Sequence, residues 1–190
     1  MTAVLPFPGR TAGILWCFVT VWVRDWVPQE GETAGKLLRQ MLLAGFPAEH
    51  ALKSLNSLLV LQSRAGAVSI DLAEIFLETG IVRIYKWGAA PSWVLCHGGS
   101  EKIGTATPPP GISVESVPMA VEKLSLRRGE VLLLVSDGVS PEAVRALPGS
   151  SADAPLGTLA GNILERSGRD GEDDATVALI RLRPAGLPTS

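Results

Sequence analysis

The chain is poor in the residues that anchor the most easily recognised chemistry. Its two cysteines, Cys17 and Cys96, show no metal-ligand spacing and read as free thiols in a reducing cytosol. Its two histidines, His50 and His97, are isolated from each other and from the cysteines. They read as surface or loop residues rather than zinc ligands. The formal net charge is only −2, with no basic stripe, which argues against a nucleic-acid surface. An apolar run at residues 14–23 is about ten residues long, too short to span a bilayer. No cationic start or small-residue cleavage site frames it as a signal peptide. There is no internal repeat.

What remains is a globular chain. Its 190 residues suffice for one domain with a real core, and 46% hydrophobic against 19% charged residues excludes disorder. The clearest element is Val131-Leu132-Leu133-Leu134-Val135, an unbroken aliphatic run that predicts a strand buried on both faces. It stops at Ser136-Asp137-Gly138, a turn signature that leaves one carboxylate at the lip of a rigid strand. The mirror arrangement lies near the C-terminus, where Glu172-Asp173-Asp174-Ala175-Thr176 precedes the aliphatic run Val177-Ala178-Leu179-Ile180. If the two strands are neighbours, Asp137 and Asp173 converge at one sheet edge, with Asp174 and Gly138 beside them. Carboxylates, carbonyls and water suit Mg²⁺ or Mn²⁺. Taken singly, each motif has a plainer explanation, a turn for Asp-Gly and a solvated cap for Asp-Asp.

The rest of the chain frames these two segments. Residues 32–45 and 47–62 carry apolar positions at helical spacing, with Gly45 as a stop and Pro47 near a first turn. Strands are expected over residues 67–72, 73–78, 81–87 and 92–96, with Thr79-Gly80 as a hairpin turn and residues 97–100 as a loop. One or two strands fall within 114–126, and helices are expected at 141–147 and 156–167. Residues 14–23 have strand composition, and residues 1–13 are punctuated by Pro6, Pro8 and Gly9. Strands at hairpin spacing with helices grouped before and after predict an α+β class, with two sheets and helices outside.

The ordered set of landmarks resembles the PPM (PP2C-like) serine/threonine phosphatases, in their sporulation stage II protein E branch. It comprises Ala51-Leu52-Lys53-Ser54-Leu55-Asn56, Ile70-Asp71-Leu72, Leu77-Glu78-Thr79-Gly80, Lys86-Trp87-Gly88-Ala89-Ala90-Pro91-Ser92 and Pro110-Gly111-Ile112. It continues with Arg127-Arg128-Gly129-Glu130, Ser136-Asp137-Gly138-Val139 and Asp173-Asp174-Ala175-Thr176-Val177. The resemblance implies a β-sandwich of two antiparallel sheets flanked by helices. It implies two Mn²⁺ or Mg²⁺ ions that activate a water against a phosphoserine or phosphothreonine. The metal ligands carried over are Asp137 and Asp173, with Asp174 and Gly138 as further candidates. The implied substrate is a small phosphoserine regulatory protein of the anti-anti-sigma type. The implied setting is the cytosol, or the cytosolic part of a membrane-associated protein. Residues 32–183 then form the phosphatase domain, truncated on its N-terminal side; residues 1–31 are a divergent segment with incomplete strands, and residues 184–190 are a tail.

One departure from the family pattern is large. The family carries a Gly-Asp and then an Asp-Gly-Met-Gly before its first helix, and neither occurs here. Asp25 is the only acid before Glu30, and Trp26 follows it. Codon logic explains the gap as a frame shift. Tryptophan is always TGG and valine always GTN, so Trp22-Val23 and Trp26-Val27 each yield glycine when read from the third base. In that frame Val19/Thr20 can yield Asp, Thr20/Val21 Gly, and Val21/Trp22 Met, which spells Asp-Gly-Met-Gly at the right distance before the helix. It also accounts for three of the five tryptophans falling between positions 16 and 26. Three functions compete: a metal-dependent phosphatase, a non-catalytic regulatory module on the same fold, and an unrelated α+β binding protein.

Overall fold

A computed structural model describes residues 2–7, 14–20, 28–62, 68–112, 119–168 and 174–182, with side chains from residue 33 onward except at 150. Contacts divide the chain into two compact units.

The first unit comprises residues 1–90 and 104–123. It holds β1 (Thr2–Phe7), β2 (Ile14–Thr20), α1 (Pro28–Leu43), α2 (Ala48–Leu61), β3 (Ile70–Phe76) and β4 (Ile81–Trp87). With β7 (Ala120–Ser125), in which the boundary between units falls, the strands form one antiparallel sheet of order β1-β2-β3-β4-β7. Two strands therefore occupy the N-terminal stretch where incomplete strands were expected. Pairing needs only extended backbone and apolar composition. The proline at position 6 is tolerated because β1 lies at the edge of the sheet. Where the sequence pattern suggested two strands over 67–78, there is one, β3. It pairs with β4 through the tight turn at 77–80, closed by the Gly80 amide donating to the Phe76 carbonyl at 2.8 Å. The helices follow the predicted period. Leu38, Leu42, Ala51, Leu52, Leu55 and Leu59 bury one face of α1 and α2 against Ile70, Leu72, Tyr85 and Trp87.

The second unit comprises residues 91–103 and 124–190. Its sheet has the order β6-β5-β8-β9, from β5 (Ser92–Cys96), β6 (Gly99–Ile103), β8 (Val131–Val135) and β9 (Val177–Ile180). The expected loop at 97–100 is a correction: His97-Gly98 is a two-residue turn, and β6 begins at Gly99. The sequence of β6, Gly-Ser-Glu-Lys-Ile, lacks a strand composition, but an edge strand needs only one partner and tolerates charge. Helices α3 (Pro141–Arg145) and α4 (Leu156–Ser167) stand where they were expected, with an unanticipated 3₁₀ turn at Gly149–Asp153 between them. Ser140 caps α3, its hydroxyl accepting from the Ala143 amide at 3.4 Å.

β8 is buried along its whole length, as its unbroken aliphatic run requires. Leu133 is fully buried, opposite Trp93 of β5 on one side and Leu179 of β9 on the other. Leu133→Ala is expected to cost about 2–5 kcal/mol, read as a lower urea midpoint at unchanged slope.

Candidate metal centre

β8 and β9 are antiparallel neighbours, with Val135 opposite Val177 and Leu134 opposite Ala178. Antiparallel pairing puts the C-terminal end of β8 and the N-terminal end of β9 at the same end of the sheet. The turn 136–138 and the segment 174–176 therefore meet there. The Ser136 amide donates to the Thr176 carbonyl at 3.0 Å, which extends the ladder by one rung. The Ser136 hydroxyl accepts from the Thr176 amide at 2.8 Å and donates to the Asp174 carbonyl at 3.4 Å. Gly138 completes the approach. A Cβ built on it would overlap the Asp174 carbonyl group, so only glycine fits.

The two motif-bearing strands are thus neighbours in the sheet. Asp137 is exposed beside this contact, at the lip of β8, and Asp174 is exposed on the facing segment. Asp173 lies outside the described residues. Arg181, just past β9, fastens the other end of that strand, donating to the carbonyls of Ala152 and Ala154 at 2.5 and 2.7 Å. His50 and His97 are exposed, and His97 Nε2 lies 3.1 Å from Asp153 Oδ2 in a solvent-facing pair of little energetic weight. Cys96 is half-buried, with its Sγ 3.6 Å from the Gly99 carbonyl.

The donor set can be tested against the ions that the resemblance implies. Mg²⁺ and Mn²⁺ take oxygen donors, and Mg²⁺ commonly keeps several waters while binding one or two carboxylates. The carboxylates of Asp137 and Asp174, exposed at one end of the sheet, are oxygen donors of the kind such a hydrated ion takes. Among the described residues, no three acidic, histidine or cysteine side chains gather at one point.

A second charged site escaped the sequence reading. Asp71 and Lys86 face each other across β3 and β4 and are almost completely buried. Lys86 Nζ lies 2.5 and 2.7 Å from the two carboxylate oxygens. Burial raises the Asp71 carboxyl to about 6, against the opposing pull of Lys86, and burial likewise lowers the Lys86 ammonium. Gly104 lies over the Lys86 stem, where a Cβ would strike Cδ and Cε. Thr107 ties the strand end, its hydroxyl donating to the Lys86 carbonyl at 3.3 Å and accepting from the Gly88 amide at 3.0 Å. The signal was present in the sequence: the acid and the base lie equally far from the hairpin turn.

Comparison with known proteins agrees with this architecture. Residues 32–183 match the family model described as Stage II sporulation protein E (SpoIIE). The chain is 29% identical over 163 residues to Stage II sporulation protein E of Bacillus subtilis strain 168, a match covering 77% of this chain and 19% of that protein. The chain thus spans a small part of that relative. The structure of the PP2C phosphatase domain and a fragment of the regulatory domain of the cell fate determinant SpoIIE from Bacillus subtilis superposes with a TM-score of 0.77. The identity is 20%, over 95% of this chain and 58% of that one. RsbX in complex with magnesium superposes with a TM-score of 0.63 at 12% identity, over 94% of this chain and 85% of that one. Two antiparallel sheets with helices in α+β arrangement make this a PP2C-like phosphatase fold, and the chain belongs to the Stage II sporulation protein E (SpoIIE) family.

Proposed function

We propose that this chain is a Mn²⁺- or Mg²⁺-dependent protein serine/threonine phosphatase domain. Its proposed substrate is a phosphoserine on a small regulatory protein of the anti-anti-sigma type. The observation that carries the reading is the β8–β9 pairing, which joins the 136–138 turn to the 174–176 segment. Asp137 and Asp173 would hold the ion, with Asp174 adjacent and Gly138 allowing the two loops to approach. An ion held there supplies Lewis-acid neutralisation of phosphate charge and a water of lowered pKa. The magnesium complex of RsbX and the phosphatase domain of SpoIIE support the reading by kinship of fold. The cytosol, or the cytosolic side of a membrane, is the setting where such a regulatory phosphoprotein would be met. No helix among the described residues is long and apolar enough to cross a membrane.

A second reading is a non-catalytic regulatory or binding module on the same fold. It is favoured by the absence of a three-acid group among the described residues and by Asp25 being the only acid before Glu30. Hydrolysis of a phosphoserine peptide at millimolar Mn²⁺ decides between them. The phosphatase reading expects release of phosphate that a chelator abolishes and that Asp137→Ala lowers by at least about tenfold. Release of no phosphate by the wild-type chain would favour the binding module.

A further inference from the structure

We propose that the outer edge of β9 is an interface for a second copy of this chain, the two β9 strands pairing antiparallel about a two-fold axis at Ala178. Each of the two sheets has two edge strands, and three of these four carry a feature that discourages further pairing. β1 carries Pro6, β6 carries Glu101 and Lys102, and β7 carries Glu122 and Lys123. β9 is Val177-Ala178-Leu179-Ile180, with neither charge nor proline, and all of its residues keep partial contact with solvent. Among the described residues, no strand lies on its outer side.

The clasp between Ser136 and Thr176 fixes which main-chain groups that edge offers. In an antiparallel pair the N–H and C=O of one residue point to the same side of the strand, and the side alternates from residue to residue. Both groups of Thr176 face β8: its carbonyl accepts from the Ser136 amide, and its amide donates to the Ser136 hydroxyl. Ala178 and Ile180 therefore also turn theirs to β8, while Val177 and Leu179 turn theirs outward. A two-fold axis at Ala178 matches Val177 of each copy with Leu179 of the other, so every outward group of both strands finds a partner. Ala178 then faces its own counterpart at the position where opposed side chains come closest, and it is the smallest side chain of the strand. The flanking charges agree with this pairing. Asp174, which is exposed, precedes the strand and Arg181 follows it. Antiparallel pairing sets the acidic end of each strand beside the basic end of the other, whereas parallel pairing would oppose like charges. The contact is self-complementary and closes at two copies. So short a strand makes a small interface, and the dimer forms only at high concentration.

The test is sedimentation velocity of the full chain across a concentration series, with amide hydrogen exchange of residues 177–180 read at both ends of the series. A dimer should form as concentration rises. The Val177 and Leu179 amides should exchange freely in dilute solution and at least about tenfold more slowly in concentrated solution, while Ala178 and Ile180, bonded to β8, stay slow in both. Ala178→Lys and Ala178→Glu should each raise the dimer dissociation constant at least about tenfold by setting like charges face to face. An equal mixture of the two variants should associate again, which a folding defect would not produce. If neither variant folds, the wild-type exchange pattern decides. A chain that stays monomeric, with Val177 and Leu179 exchanging freely throughout, would overturn the proposal. So would slow exchange of these two amides in the dilute monomer, which would mean that another segment of the chain covers the edge. A dimer that leaves them fast would overturn it as well, and a mixture of folded variants that stays monomeric would overturn the axis at Ala178.

Discussion

Lys86→Met is expected to destabilise the protein by about 3–5 kcal/mol near neutral pH, because it leaves the Asp71 carboxylate buried without a counter-charge. Both partners have almost no solvent contact, at 1% and 0% side-chain exposure. The loss of hydration at this depth is what pushes the Asp71 carboxyl up to about 6 even with Lys86 in place. The pair as a whole is expected to add little net stability, since desolvation offsets most of the attraction. A double replacement, Asp71→Leu with Lys86→Met, should therefore recover most of what the single change loses. Denaturant titration of the three proteins separates these outcomes. A single variant as stable as the wild type would show that the charge is not buried as described.

The same substitution should be pH-dependent in a stated direction. A carboxyl whose folded pKa lies above its unfolded value contributes stability below the unfolded pKa, near 4, and loses it as pH rises through the folded pKa. For the wild-type Asp71 that window runs from near 4 to about 6. Removing Lys86, which pulls the value down, extends the window upward. The penalty of Lys86→Met should thus be larger at pH 8 than at pH 5. Glu122, whose charge also acts on Lys86, is not expected to compensate, since it offers no positive charge to Asp71.

The largest expected change in activity comes from the other end of the chain. Restoring the family motif by Thr20→Asp, Val21→Gly, Trp22→Met and Val23→Gly should raise Mn²⁺-dependent hydrolysis of a phosphoserine peptide. An increase of at least about 100-fold is expected, the scale attached to one preorganised charge-stabilising group. The family's Asp-Gly-Met-Gly does not occur before Glu30, and these substitutions supply the motif that carries the bridging acid in the resemblance. β2 is already a paired strand through Thr20, opposite Thr2 of β1, so the motif would begin at an existing strand end. The DNA provides an independent check: read from the third base of the Val19 codon, it should spell Asp-Gly-Met-Gly. A codon for asparagine, histidine or tyrosine at the first of these positions rejects the frame shift. Unchanged hydrolysis in the restored protein would leave the binding-module reading standing.

Much of this was legible before the fold was known, and the reason is local in each case. The aliphatic run of β8 announces a strand buried on both faces, and Ser136-Asp137-Gly138 announces where it must turn. The helical period of α2 groups Ala51, Leu52, Leu55, Leu58 and Leu59, and all but Leu58, which is exposed, lie on the face that is buried. Other features were not legible. Nothing local in Gly99–Ile103 marks a strand; β6 exists because β5 offers it an edge. That β5 lies between β6 and β8, and that β9 lies beside β8 some forty residues along the chain, follows from long-range pairing alone. So does the clasp from Ser136 to Thr176.

By itself, then, the amino-acid sequence determined which segments are apolar, where they turn and which residues carry acid. These depend on composition and periodicity within a few residues. Only the tertiary structure decided which ends meet and which charges lose their water. The Asp71–Lys86 pair and the Ser136 clasp both depend on strand register, and a one-residue slip would turn every side chain of a strand to its other face.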